Sequence, residues 1–565
     1  MIPKKAASEV SQIYSHRVSF PGVKGSLIVG YLDESPNENW NGRIAILTPK
    51  YGETKKNNLR LAYFLVANGF KVLRFDHTNH IGESDGDMSQ FTLPEAAADI
   101  IDSLDYVEAH FKTDEIILIS NSLSARCAYR AAAIDQRISR VVCIVGVVNL
   151  QKTICNIYQK DIIGTFCEGK EWGVIDILGF DIDSANFISK MVEHNMHEVS
   201  GAIKDASKIK QPLLHLHAAK DIWVDREEVE LVVTTAGGEL FEIEGAYHEV
   251  GENPEASRLT LEKVARFCLA GLQNINTELA HPAKIALFEQ NKKERNRLKE
   301  LYVVKETEND FWNGYLGKFG TIEQAQVYIE YFEKVQKLLG TIHEGEAVLD
   351  AGCGNGFFGL CMLHTLESAL GTKSDFPHSF VYYGIDLTPG GLDKALVRQS
   401  QVKSKLQSSF KDKPAVTLAY QRLDFEKIGA DQKPSSRLPF TDGCFAKVCC
   451  SLVISYLKEP VHFVQELRRV LQKGGTAVLS SMKPECDMTV LYHEFITLDV
   501  ASSEHENDAQ KLLGAAGQIK LKEQSGIYGF YSEEELVEIV KKAGFTEYEL
   551  FRSLGDQANL IRVKK

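Results

Sequence analysis

The sequence has no apolar run approaching the roughly 20 residues that a membrane-spanning helix needs. Its most apolar stretch, Val141–Leu150 (VVCIVGVVNL), is far shorter and reads as a buried strand. The opening residues, MIPKKAASEVSQIYSHRV, carry two lysines without the apolar core of a secretory signal, so neither leader nor membrane span is expected. Positive charge is also short: 64 Lys and Arg stand against 77 Asp and Glu, a net charge of −13. That balance offers no basic face for nucleic acid or for an anionic bilayer. The 11 cysteines stand singly apart from the neighbours Cys449 and Cys450, and no C-x-x-C pair occurs. Such spacing gives neither a disulfide framework nor a zinc site. No metal is expected, and the thiols read as reduced and buried in a cytoplasmic enzyme. Internal repeats and low-complexity tracts are missing too.

What is present is an alternation of short apolar strands with amphipathic helical stretches, the pattern of α/β architecture with mainly parallel strands. A chain of 565 residues exceeds what one core supports. In the first half, Ile44–Thr48, Val72–Phe75, Ile116–Ser120, Val141–Val147, Pro212–His217 and Glu239–Ile243 read as strands, with helices over Leu59–Asn68 and Pro94–His110. A second series runs through Ala347–Asp350, Phe380–Asp386, Val416–Leu423, Phe445–Ser451 and Thr476–Ser480. Between them the charged run Glu289–Glu300 reads as a solvated helix. The expected division is a first domain over 1–275, a helical linker over 276–309 and a second domain over 310–565.

Two segments compete for the strand–turn–helix that lifts a nucleophilic serine above a sheet. Gly82-Glu83-Ser84-Asp85-Gly86 matches G-x-S-x-G letter for letter, but a polar loop (His77, Thr78, Asn79, His80) precedes it and the irregular DMSQFTLPE follows. A motif carries weight only in its structural setting, so Ser84 is set aside. Ser120-Asn121-Ser122-Leu123-Ser124 fits the letters less well and the mechanics better. The strand EIILIS runs into it and the helix LSARCAYRAAA leaves it. Ser122 is the expected nucleophile, a helix N-cap being its structural alternative. The Leu123 N–H at the helix start is one expected oxyanion-hole donor. Acid and base follow in the order serine, acid, histidine. Asp221 comes after the strand PLLHLH and His248 after LFEIEG. Asp225 is a rival acid, but it opens the helix REEVELVVTT as its N-cap. His215 and His217, inside a strand, read as packing residues.

The runs RFDHTNHIGESDG, ISNSLSARCAYRAA and VGVVNL, with Asp221, Trp223 and Val224 after the sixth strand, resemble the acyl-transferase family of bacterial bioluminescence. Those proteins are myristoyl-carrier-protein thioesterases of α/β-hydrolase fold that also lack the elbow glycines. The resemblance extends from about Ile44 to Phe267. It implies that Ser122 accepts a fatty acyl group from a thioester, carried in turn by an acyl carrier protein, and that Asp221 and His248 complete its triad. The second oxyanion donor would come from Lys50–Gly52, with Tyr51 as the expected residue. The segment from Asn149 to Lys208 would be a cap. Its aromatics Tyr158, Phe166, Trp172, Phe180 and Phe187 suit an acyl tunnel and ordinary packing equally.

In the second half, Val348-Leu349-Asp350-Ala351-Gly352-Cys353-Gly354-Asn355-Gly356 is a strand entering a glycine-rich turn and then a helix. Gly354–Gly359 also spells G-x-G-x-x-G, a dinucleotide fingerprint that is weak alone. Three acids at successive strand ends argue against it. Asp350 suits the ammonium of an amino acid, Asp386 suits ribose hydroxyls and Asp424 suits an adenine amino group. This series resembles the class I S-adenosylmethionine methyltransferases of small-molecule type, with Asp350, Gly352, Gly354 and Gly356 as D-x-G-x-G-x-G. The resemblance implies a Rossmann-like domain, S-adenosyl-L-methionine as cofactor and a small-molecule acceptor. Phe311, Trp312 and Tyr315 before the domain, and Tyr456, Tyr492 and His493 within it, stand where cofactor or acceptor is met. Leu491–Tyr531 reads as an insertion.

The expectation is therefore a fusion: an α/β-hydrolase domain with a cap, acting on acyl thioesters, followed by a methyltransferase that acts on a related product, such as a fatty carboxylate. Two other readings stay open. The chain could methylate and release a carrier-bound polyketide or lipid intermediate, or the hydrolase domain could be silent and only dock a carrier.

Overall fold

Strands buried on both faces lose the alternation of a half-exposed sheet and read as continuous apolar runs. Ile44–Thr48, Ile116–Asn121 and Leu213–Ala218 are of this kind, with every residue buried. In the computed structural model they belong to an eight-stranded sheet. Its spatial order is Glu239–Ile243, Leu213–Ala218, Ile138–Ile144, Ile116–Asn121, Ile44–Thr48, Lys71–Phe75, Leu27–Glu34, Tyr14–Pro21. The first six strands run parallel, Leu27–Glu34 pairs antiparallel with the sixth, and Tyr14–Pro21 pairs antiparallel with Leu27–Glu34. The structure describes the chain apart from residues 1–8, 11, 23–24, 37–39, 272–277, 303–305, 319–322, 324, 371–376, 411–413, 428–436, 488–491 and 493–502.

All six strands expected in the first half are present, each within a few residues of its predicted bounds. The hairpin Tyr14–Pro21/Leu27–Glu34 was not expected. Tyr14–Pro21 lies at the sheet edge with one buried residue among eight, so it carries little apolar signal. Between Asn149 and Lys208 the chain forms helices Leu150–Tyr158 and Ile162–Cys167, a hairpin of Val174–Ile177 with Phe180–Asp183, and helices Ser184–Glu193 and Val199–Ala206.

The chain divides into two compact units, Met1–Tyr302 and Val303–Lys565. The segment read as a solvated linker is therefore split, and its helix Lys284–Leu301 belongs to the first unit. Arg297 ties it there by donating to Glu83, Leu298 is buried, and the deepest tie is one carboxylate. Glu294 is buried and receives both Nη1 and Nη2 of the fully buried Arg74 at 2.7 Å. Arg74 also donates to Asp33, from Nε at 2.5 Å and Nη2 at 3.2 Å. A buried guanidinium is tolerable only when such partners replace its water. Burial pushes the Glu294 carboxyl up, but Arg74 outweighs it and holds the group below its ordinary range. A run of charges gives no sequence signal for which one is inside.

The second unit has a seven-stranded sheet in the order Ala415–Arg422, Ser379–Asp386, Ala347–Ala351, Phe445–Cys450, Leu471–Met482, Ala558–Lys564, Glu547–Ser553. Five strands are parallel and the last two form the expected antiparallel closing pair. The sheet starts in sequence at Ala347–Ala351 and grows outward first to one side, then to the other. That reversal leaves a crevice at the carboxyl ends of Ala347–Ala351 and Phe445–Cys450, the usual ligand position in open α/β sheets. No described helix is long and apolar enough to cross a membrane.

Removing the Glu294 carboxylate leaves Arg74 under-compensated in the interior, at a cost of about 3–5 kcal/mol. Urea-dependent hydrogen exchange of the full chain, read on peptides covering Lys71–Phe75, should show that loss for Glu294→Ala. A change below about 1 kcal/mol, the value of an exposed ion pair, would mean that Glu294 does not anchor the helix through Arg74.

Candidate active sites

Strand Ile116–Asn121 ends at Asn121 and helix Ser124–Ile134 begins three residues later, so the chain must reverse within Ser122 and Leu123. Ser122 does this with φ of +49°, a left-handed conformation that costs an L-residue about 1–3 kcal/mol and persists only where its surroundings enforce it. They do. The Ser122 N–H donates to Ile144 O at 2.9 Å, and Val147 N–H donates to Ser122 O at 3.0 Å. On either side, Thr48 Oγ1 donates to Ser120 Oγ at 2.9 Å and Ser124 Oγ to Pro49 O at 2.5 Å. The tightness that glycines usually relieve within the elbow is relieved on the neighbouring strand end. A Cβ on Gly146 would lie 2.6 Å from Ala125 Cβ and 2.9 Å from His215 Cε1. The helix N-cap is Leu123, with no side-chain cap, so Ser122 is not spent on capping.

The Ser122 hydroxyl instead meets His248, with Oγ 2.8 Å from Nε2. His248 Nδ1 lies 2.7 Å from Asp221 Oδ2. The other oxygen of Asp221 accepts the Trp223 N–H at 2.8 Å and the Val224 N–H at 3.1 Å. Burial drives the Asp221 carboxyl up, but His248 and these two N–H groups hold it below its ordinary value. It is thus an ionised anchor that fixes the proton on His248 Nδ1 and leaves Nε2 to face the serine. The Trp223 ring stacks on the imidazole at 4.4 Å, restricting its rotation.

The remaining sequence candidates fall into place around this line. No described residue takes the Leu123 N–H or the Tyr51 N–H. Tyr51 is pinned from its far end, its hydroxyl donating to Ile177 O at 3.2 Å and its ring meeting Phe180 edge-on at 5.9 Å. Asp225 caps its helix by accepting the Glu228 N–H at 3.0 Å. Ser84 Oγ accepts Val29 N–H at 2.9 Å and donates to Asp76 O at 2.6 Å, both backbone partners. His215 sits 3.0 Å from Tyr129 Oη in the interior. Of the cap aromatics, Tyr158, Phe180 and Phe187 are buried, whereas Phe166 and Trp172 are half-exposed.

In the second unit, Asp350 stands next to last in its strand, fully enclosed, and accepts a hydrogen bond from Tyr382 Oη at 2.6 Å. Burial first, with Asp386 adding to it, raises its pKa to about 7 against the Tyr382 bond. No described Lys, Arg or His pairs with it, and a buried carboxyl without a cation fits an amino acid's ammonium at this place. The glycines that follow are obligatory. A Cβ on Gly352 would lie 2.0 Å from Val453 and one on Gly356 would lie 2.6 Å from Ala395, both at positive φ. Asp386 is engaged more than expected: Oδ2 accepts the Gly354 N–H at 2.9 Å, and Oδ1 accepts Thr388 N–H and Oγ1 at 2.9 and 2.7 Å. It fastens the glycine turn to the next strand. Asp424 is half-exposed beside Lys427 at 3.1 Å. Helix Glu308–Lys318 lies over the turn, with Leu316 O accepting Asn355 Nδ2 at 3.0 Å. It brings Trp312 to 4.5 Å from Tyr456, and Tyr315 Oη to 3.2 Å from Tyr492 Oη. His493 lies outside the described residues.

A family model described as acyl transferase matches residues 35–299. Among curated proteins, an acyl transferase of Photobacterium leiognathi is 30% identical over 223 residues, covering 36% of this chain and 70% of the relative. The chain belongs to the acyl transferase family. An acyl transferase of Photobacterium phosphoreum is 29% identical over 233 residues, covering 40% of this chain and 76% of the relative. A methyltransferase domain model matches residues 323–550. Among solved structures, Est1E from Butyrivibrio proteoclasticus is 19% identical with a TM-score of 0.38, covering 45% of this chain and 98% of that one. The acyl-transferase match ends at 299, inside the helix that carries Glu294. The chain is thus a fusion of an acyl-transferase unit of α/β-hydrolase fold with a class I methyltransferase unit.

Proposed function

We propose that the first unit transfers a fatty acyl group from a thioester through a covalent ester on Ser122, and that the second methylates the product with S-adenosyl-L-methionine. The observation that carries the first half is the line Ser122 Oγ, His248, Asp221, at 2.8 and 2.7 Å. Ser122 Oγ attacks the thioester carbonyl as its proton passes to His248 Nε2. The oxyanion is met by the N–H groups of Leu123 and Tyr51, and the departing thiolate takes the proton back from His248. Water or an alcohol then repeats the sequence on the ester, with His248 again as base. An intact line with an ionised Asp221 favours an active unit over a silent carrier-docking module. An acyl carrier protein is the proposed donor.

In the second unit, Asp350 would hold the ammonium of the cofactor, Gly352, Gly354 and Gly356 would admit its backbone, Asp386 its ribose and Asp424 its adenine. When bound, the cofactor supplies a methyl group on a cationic sulfur. The protein's part is alignment and exclusion of water. Because the two units share one chain, the proposed acceptor is the fatty carboxylate that the first unit releases, giving a methyl ester.

Incubating the full chain with a long-chain acyl thioester and methyl-labelled S-adenosylmethionine should yield the labelled fatty methyl ester, and Ser122→Ala should yield none. A different labelled small molecule as the sole product would overturn the carboxylate assignment.

The cofactor's ammonium needs Asp350 ionised, and its pKa near 7 makes binding depend on pH. Above about 7 the carboxylate is ready; below it, protonation must be reversed first. Calorimetric affinity for S-adenosylmethionine should fall by up to about tenfold per unit below pH 7, with a proton released on binding near neutrality. Affinity that is flat from pH 8 to 6 would contradict the role given to Asp350.

A further inference from the structure

The loop after strand Ile44–Thr48 is held almost atom by atom. Thr48 O accepts Asn58 Nδ2 at 3.0 Å, and Asn58 Oδ1 in turn accepts Asn121 Nδ2 from the elbow at 2.9 Å. Pro49 O accepts Ser124 Oγ at 2.5 Å, and Lys50 O accepts the Glu53 N–H at 3.1 Å. The Gly52 N–H does not point back toward the elbow. It donates to His80 Nε2 at 3.1 Å. Gly52 itself has φ of +74°, and a Cβ there would lie 2.9 Å from the Phe180 ring, so its peptide has little other freedom.

His80 is built to be that acceptor. Its ring is buried, packed against Phe91 at 5.1 Å and Tyr51 at 6.0 Å. Its own loop is rigid: Asn79 N–H donates to Asp85 O at 3.0 Å, and Glu83 N–H to Asp76 Oδ2 at 2.8 Å. Burial, with His77 beside it, pushes its pKa down to about 3 against the backbone of Ile81, so the ring stays neutral and its Nε2 stays an acceptor. Because an N–H faces Nε2, the ring proton must sit on Nδ1.

We propose that His80 is a positioning residue of the acyl transfer: by taking the Gly52 N–H it turns the preceding peptide so that the Tyr51 N–H faces the oxyanion formed at Ser122. The inference rests on Ser122 being the nucleophile. It also gives a use to the polar loop that surrounds the false motif at Ser84. The loop does not supply a nucleophile; it braces the strand end opposite the elbow.

The test compares His80→Phe, which keeps a ring against Tyr51 and Phe91 but removes the acceptor, with His80→Gln, which restores an acceptor near the Nε2 position. For hydrolysis of a long-chain acyl thioester by the full chain, His80→Phe should lower kcat by about 10- to 100-fold with KM nearly unchanged, somewhat less than loss of a whole oxyanion donor. Affinity for a long-chain trifluoromethyl ketone, whose adduct carries the oxyanion, should fall by the same factor. His80→Gln should recover most of both. A folded His80→Phe with parental kcat and parental ketone affinity overturns the proposal. If His80→Phe does not fold, nitrogen-15 NMR of the parent decides: Nε2 of His80 must be unprotonated at pH 7, and a proton on it would overturn the inference. Ser122→Ala separates the two claims. If it keeps full activity the nucleophile assignment fails, whereas an inactive Ser122→Ala beside a fully active His80→Phe sinks the positioning role alone.

Discussion

The 2.8 Å contact between Ser122 Oγ and His248 Nε2 joins two loops 126 residues apart, and it forms only if both loops are set independently and correctly. The serine is set by a backbone in the left-handed region, which four neighbouring hydrogen bonds and the close approach of Gly146 to Ala125 sustain. The histidine is set by Asp221 and by the Trp223 ring. Neither loop could be set if the parallel sheet beneath were uncertain. The buried strands Ile44–Thr48, Ile116–Asn121 and Leu213–Ala218 supply that certainty. Strain at the elbow is thus stored in one residue and carried by the whole sheet.

The second unit solves a comparable problem with glycine rather than strain. Gly352 and Gly356 pass so close to Val453 and Ala395 that no side chain fits, and the tight turn they allow lies where the sheet reverses direction. Asp386 fastens that turn while Asp350 stays enclosed beside it, with no described cation at its carboxylate. In the first unit the buried carboxylate of Asp221 is paired with His248, and in the second the buried carboxylate of Asp350 meets the hydroxyl of Tyr382.

Much of this was legible in the sequence, for identifiable reasons. Doubly buried parallel strands are long apolar runs, so their positions were readable, and so was the elbow at their end. Setting rather than spelling separates Ser122 from Ser84, whose hydroxyl is spent on the backbone of Val29 and Asp76. Gly82 and Gly86 lie at φ of +129° and +114° against Asp76 and Asn79, folding a brace. What escaped were features that depend on partners distant in sequence. The edge strand Tyr14–Pro21 is too exposed to show a pattern. Glu294 looks like every other charge in EQNKKERNRLKE until Arg74 is found beneath it, 220 residues away. His80 gave no signal because its partner is a backbone N–H.

The account stands on an acyl group resting on Ser122. Intact-protein mass spectrometry of the full chain, quenched shortly after mixing with a long-chain acyl thioester, measures it directly. One acyl mass should be gained, mapping to the peptide that contains Ser122, absent in Ser122→Ala and retained in Ser84→Ala. An adduct that maps to Ser84, or that survives in Ser122→Ala, would contradict the account.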